Sequence, residues 1–217
     1  QRENAQATAA VVAKAALFGE DHPLGQGELG DEAAIEATSK ASLLAYWQAN
    51  YRPDNAALIV SGDLSLAEAK ALAERNFGDW KGEGAAHSAK LPPAKPTAAR
   101  IVIVDKPGAP QTALQVVRSA PKAGAPDEAA LEVMNAAMGG LFTSRINTVL
   151  REQKGYTYGV YSRYLLGREV GYFTSFGGVR TDVTGAALKD LFHEVDGMRA
   201  NPLPAAELAK ARNAELL

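Results

Sequence analysis

The stretch Gly139 to Gly159, GGLFTSRINTVLREQKGYTYG, changes its hydrophobic period halfway along. Leu141, Ile146, Val149 and Leu150 mark the core positions of a helix over 141–154, and Gly155 is a natural left-handed stop. Two strand-like runs follow, 157–165 and 172–179, joined through Gly167, and they read as an antiparallel hairpin. A helix that ends against the first strand of a hairpin points to a mixed architecture. The flanking segments agree. Strands are expected over 100–106 and 111–120, separated by Pro107-Gly108. A helix capped by Asp127 runs to about Met138, where Gly139-Gly140 breaks or bends it. Another, capped by Thr181 or Asp182, runs to about Arg199, and Pro202 and Pro204 introduce the last. Strand–strand–helix–helix–strand–strand–helix is an α+β order.

The first part of the chain carries its own elements. Residues 4–18 are Ala-rich and helix-favouring, and HPLGQGELG at 22–30 is turn-rich. A helix capped by Asp31 or Thr38 runs to about Tyr51, with Ile35, Leu43, Leu44 and Trp47 forming one buried face. AALIVSG at 56–62 reads as a strand of a covered sheet, and Ser65 caps a helix over 66–76. Between 81 and 99 the composition turns to Gly, Ala and Pro, which continue neither helix nor inner strand. The reading is therefore two α/β pieces whose sheets are covered by helices. Residues 1–80 are the C-terminal part of one domain, 81–99 a Pro-rich linker, and 100–217 the N-terminal part of the next.

Charge and composition exclude several classes of function. A net charge of -2 gives no broad attraction to nucleic acid or anionic lipid. No apolar run is long enough to span a bilayer. With no cysteine there are neither disulfides nor thiolate metal sites. The start lacks both a Met and a signal-peptide pattern, and AAELAKARNAELL ends inside a helical pattern, so a segment of a longer protein is expected.

Few residues offer chemistry. His22, His87 and His193 are far apart and none has a second His at helical spacing, so a surface or capping role is favoured over zinc. Ser119, Ser144 and Ser175 lack a G-x-S-x-G setting. Gly139-Gly140 favours close packing over an anion cradle, since no Lys-Ser/Thr follows. Arg145 and Arg151, six apart on one helix, point in different directions. Arg151 and Tyr158 read in two ways. One is a helix-terminal cation and an ordinary strand aromatic; the other is a pair of donors aimed at a peptide carbonyl or its oxyanion.

SRINTVLREQKGYTYGV at 144–160 resembles a segment of the pitrilysin/insulinase family of zinc metallopeptidases. HPLG at 22–25, YRPDNAALIVSGD at 51–63, FGDW at 77–80 and GYFTSFGGVRTD at 171–182 resemble further landmarks of that family in the same order. The resemblance implies a pitrilysin/mitochondrial-processing-peptidase-like metallohydrolase fold, built from repeated α/β domains in halves that close into a chamber. It implies that Arg151 and Tyr158 correspond to a substrate-contacting pair, and that zinc, bound through HxxEH in the family, sits on a missing domain or a partner. No metal ligand or cofactor site is expected in this segment, which is expected to be inactive alone. The implied partners are a peptide substrate and a zinc-bearing half. The alternative is a non-catalytic scaffold subunit of the same family. A periplasmic or envelope location follows from the resemblance and the Ala/Pro/Gly-rich style rather than from any signal.

Overall fold

The computed structural model describes residues 4–82, 90–92 and 98–216. Most of the expected linker, with His87, lies outside the described residues. The chain divides into two compact units, one of residues 1–28 with 91–217 and the other of residues 29–90.

The larger unit is built on a three-stranded antiparallel sheet. Strands β1 (Gln111–Ala120), β2 (Thr157–Leu166) and β3 (Gly171–Arg180) lie in the order β1-β3-β2, so β3 is central. Ser175 of β3 stands opposite both Val116 of β1 and Ser162 of β2. With side chains alternating across the sheet, Leu114, Val116, Val160, Phe173 and Val179 share one face. There they meet Met138, Ile146, Leu150, Ala187 and Leu191 in a single apolar cluster. Helix α1 (Ala5–Phe18) packs on β1, and the Phe18 ring sits edge-on to Tyr172, which projects from the opposite face.

The helices follow local signals. Helix α5 (Glu128–Asn135) passes into a π-helical turn, Ala136–Gly140. Its small residues Ala136 and Ala137 lie against Ala211 of α8 (Ala205–Leu216), and the turn also touches β2. Gly139-Gly140 serves close packing, since a Cβ on Gly139 would collide with the Ser162 side chain and one on Gly140 with that of Asn135. The helix expected over 141–154 starts later. Ser144 occupies the N-cap of α6 (Arg145–Asn147), which widens into a second π-helical turn, Thr148–Gln153. The hairpin forms as expected, and α7 (Thr184–Ala200) follows a 3-10 turn at Thr181–Val183. Arg145 clamps α6 to α8 through two hydrogen bonds to the Glu207 carboxylate, 2.6 and 2.7 Å long. That two-pronged, charge-assisted geometry is among the stronger polar contacts a protein makes.

The smaller unit holds α2 (Glu32–Ala37), α3 (Lys40–Asn50) and α4 (Leu66–Phe77). Asp31 caps α2, whereas α3 is capped by Ser39, not Thr38, in a reciprocal box with Ser42. Ser65 and Glu68 cap α4 the same way. Two expectations fail here. Ile35, Leu43, Leu44 and Trp47 are exposed rather than buried. The run 56–62 pairs with no strand among the described residues, and Ile59 is 90% exposed. The same holds in the larger unit for 100–106, where Ile101 is 85% exposed. The fold is α+β, yet the two α/β pieces with two covered sheets are not what forms. The described residues contain one sheet, and it lies wholly in the larger unit. An apolar run becomes a strand only when a partner supplies its ladder bonds.

Two measurements test this packing. Leu150 has no solvent exposure. Leu150→Ala should cost about 2–5 kcal/mol of stability in urea unfolding, the range for truncating a buried leucine. Glu132 of α5 behaves differently. Burial first, then the carboxylates of Glu215 and Glu128, hold its pKa above the ordinary carboxylate value. The folded chain therefore keeps this proton after the unfolded chain has lost it. Stability falls as pH rises through the unfolded value of about 4.3, until the folded group also ionises. Glu132→Gln should accordingly unfold at higher urea than the parent at about pH 7 and at the same urea at about pH 3.

Candidate functional site

Arg151 stands in the π-helical turn Thr148–Gln153, where i→i+5 bonding sets an extra residue into the helix. The turn closes on Gly155 at φ 60°, in the left-handed region expected of a helix stop. Tyr156 N–H donates to Leu150 O at 2.8 Å and Gly155 N–H to Arg151 O at 3.1 Å. These bonds resemble a Schellman closure in which each reaches back one residue further, because of the π turn. Arg180 N–H then donates to Tyr156 O at 3.0 Å, tying the connection to β3.

The Arg151 guanidinium sits over the Phe142 ring, with Cζ 3.9 Å from the ring centroid, and donates to the Glu152 carboxylate. Contact with an aromatic face holds the cation in place while leaving other N–H groups able to donate. Arg145, by contrast, turns away to Glu207. The two arginines diverge, as their six-residue spacing requires.

Tyr158 sits on a β-bulge. The pairing steps from Thr157↔Val179 to Val160↔Gly177, so Tyr158 and Gly159 together face one residue of β3. Three groups hold this step. Thr157 Oγ1 donates to Gly178 O at 2.5 Å and accepts from Gly159 N–H at 2.9 Å. Gly177 leaves room for it, since a Cβ there would lie 2.6 Å from Gly159 O. The result is a tyrosine at 88% exposure, swung off an edge strand of the sheet. No hydrogen bond or ring contact joins Arg151 to Tyr158. They are linked instead through the closed turn between them.

Asn147, four residues before Arg151, has no solvent exposure. Its Oδ1 accepts Val160 N–H at 2.9 Å, and its Nδ2 donates to Leu141 O at 3.3 Å. Phe142 and Asn147 shape this site, and neither was among the residues singled out from sequence. The one available signal was an asparagine in the middle of an apolar helix face, between Ile146 and Leu150. A buried amide there must find partners outside its own helix.

The other candidates resolve simply. His22 caps the 3-10 turn Pro23–Gly25. Its Nδ1 accepts Leu24 N–H at 3.0 Å, its Nε2–H donates to Pro92 O at 2.9 Å, and its ring stacks on Phe18. His193 is exposed on α7. Ser144 and Ser175 are buried, each with an Oγ lacking a hydrogen-bond partner. Among the described residues, no group of three or more His, Cys, Asp or Glu side chains could hold a metal ion, so these residues do not fit a zinc site. Among the same residues, no helix is long and apolar enough to cross a membrane.

The chain is 31% identical over 153 residues to an uncharacterized zinc protease of Mycobacterium leprae, covering 68% of this chain and 33% of that protein. It is 25% identical over 206 residues to another from Streptomyces coelicolor, covering 90% of this chain and 43% of that protein. The chain thus spans about half the length of these relatives. A crystal structure of a peptidase M16 inactive domain from Pseudomonas fluorescens superposes with a TM-score of 0.91 at 27% identity. The match covers all of this chain and 52% of that one. A chain of Complex III2 from Candida albicans shares the fold alone, with a TM-score of 0.77 at 12% identity over 98% of this chain and 52% of that one. Residues 37–215 match the family described as the Peptidase M16 inactive domain, in the pitrilysin group whose relatives here are zinc proteases, and the chain belongs to that family.

Proposed function

We propose that the chain is the non-zinc part of a pitrilysin/insulinase-type metalloendopeptidase. In this reading Arg151 and Tyr158 donate hydrogen bonds to an extended peptide, while the zinc is held by another half, in the same polypeptide or in a partner. The observation that carries it is the bulge at Tyr158 and Gly159. A sheet edge gives up ladder pairing there and presents an 88% exposed phenol, a short closed turn away from an arginine seated over an aromatic ring. Bulges beside functional sites re-aim side chains in this way. A carbonyl oxygen gains negative charge when water adds to its carbon, and N–H and O–H donors placed beforehand stabilise that charge. The outer edge of β2 has no partner strand among the described residues and can accept a peptide as an added strand.

The exposed apolar runs support a further half. Leu58, Ile59 and Val60 in one unit, and Ile101 to Val104 in the other, are exposed without ladder partners among the described residues. Apolar surface of this kind marks an interaction site. The second reading, a non-catalytic scaffold subunit, draws on the shared fold with the Complex III2 chain. It assigns Arg151 and Tyr158 no role.

Kinetics separate the two. A donor used only in the transition state is worth on the order of 3 kcal/mol, about a hundredfold in rate. With the zinc-bearing half present, Tyr158→Phe and Arg151→Ala should each lower kcat by about that factor, with circular dichroism and melting unchanged. Parental kinetics in both variants would leave the scaffold reading standing. The isolated 217-residue chain should not cleave an internally quenched peptide. Chelator-sensitive, zinc-dependent cleavage by the purified chain would refute the division of labour between halves.

A further inference from the structure

We infer that Asn147 is the positioning residue that fixes Arg151 and Tyr158 relative to each other. The inference rests on the proposed role of that pair, but its physical basis is separate. A fully buried side-chain amide is tolerated only when its donor and acceptor are both used, and Asn147 uses them on two different segments. Its Oδ1 accepts the N–H of Val160, the first residue past the bulge and two beyond Tyr158. Its Nδ2 donates to the carbonyl of Leu141, the residue joined to Phe142. The Phe142 ring in turn carries the Arg151 guanidinium. Asn147 also stands on the helix of Arg151, at the last α-helical position before the π turn opens at Thr148. One side chain therefore bonds the strand that aims the phenol and the loop that supports the guanidinium, from the helix that bears the guanidinium.

Among the described residues, no other side-chain hydrogen bond joins this helix to β2. The Thr157 hydroxyl holds the bulge together within the sheet but does not reach the helix. Asn135, a second buried asparagine on the preceding helix, ties that helix to the middle of β2. Ser162 Oγ donates to its Oδ1 at 2.7 Å, and its Nδ2 donates to Ser162 O at 3.1 Å. It matches Asn147 in chemistry and burial, but its partner on β2 stands four residues beyond Tyr158, and it bonds neither the helix of Arg151 nor the loop of Phe142. Asn135 is therefore the control for a merely structural effect.

The test is made in the full-length protein with its zinc-bearing half, using an internally quenched peptide, amide exchange at Val160 and a fluorotyrosine resonance at position 158. Asn147→Ala should speed exchange at Val160 at least tenfold, shift or broaden the resonance, and lower kcat at least tenfold with KM within twofold. Asn135→Ala, at comparable loss of melting temperature, should keep kcat within twofold and leave the resonance in place. If Asn147→Ala leaves exchange and resonance unchanged, or lowers kcat no more than Asn135→Ala does while Tyr158→Phe and Arg151→Ala do lower it, Asn147 does not position the pair. If the resonance moves while Tyr158→Phe has parental kinetics, the positioning stands and the catalytic reading of the pair falls. Should Asn147→Ala fold too poorly to assay, Asn147→Asp takes its place. It keeps the acceptor for Val160 N–H but, once ionised, loses the donor to Leu141 O. Its kcat should then fall further below the parent's as pH rises, and a profile parallel to the parent's would refute the inference.

Discussion

The contact between α6 and β2 organises the larger unit. Ile146 and Leu150 are fully buried against Val160 and Val179, so the helix cannot rotate without opening the core. Asn147 lies between them on the same turns and adds direction to that apolar contact, because a hydrogen bond to Val160 N–H permits only one register. The π turn, the stop at Gly155 and the bulge at Tyr158 all lie within reach of this anchored segment. Each departs from ideal geometry, and β3, which stays regular, bonds the bulge through Gly178 O and the residue after the stop through Arg180 N–H.

That pattern explains what could be read from the sequence. The hairpin, the stop at Gly155 and the divergence of the two arginines were legible, since all depend on local periodicity or on one residue's backbone preference. Ser65 was legible as a cap for the same reason. The two π turns were not, because i→i+5 bonding leaves no compositional mark on a run such as TVLREQ. The bulge was hidden too. TYGVYS reads as ordinary alternation, and the slip becomes visible only once Val160 is seen opposite Gly177. Phe142 could not be distinguished from a core aromatic without knowing that Arg151 lies over it.

The two failed strands teach something different. The residues 56–62 and 100–106 have the composition of inner strands, and periodicity reads composition correctly. Pairing is a property of neighbours, and none of the described residues supplies a ladder to either run. The expected burial of Ile35, Leu43, Leu44 and Trp47 fails for a related reason, since an amphipathic face is buried only when something covers it. The relatives and the matched crystal structure are about twice as long as this chain.

The histidine at position 22 shows how thoroughly a polar ring can be used for architecture. One nitrogen receives a backbone proton and the other gives its own away, while the ring face rests on an aromatic neighbour. No lone pair on that imidazole remains to bind a cation. This ring has no vacancy to offer, and a metal ion held beside it would need its ligands from other residues.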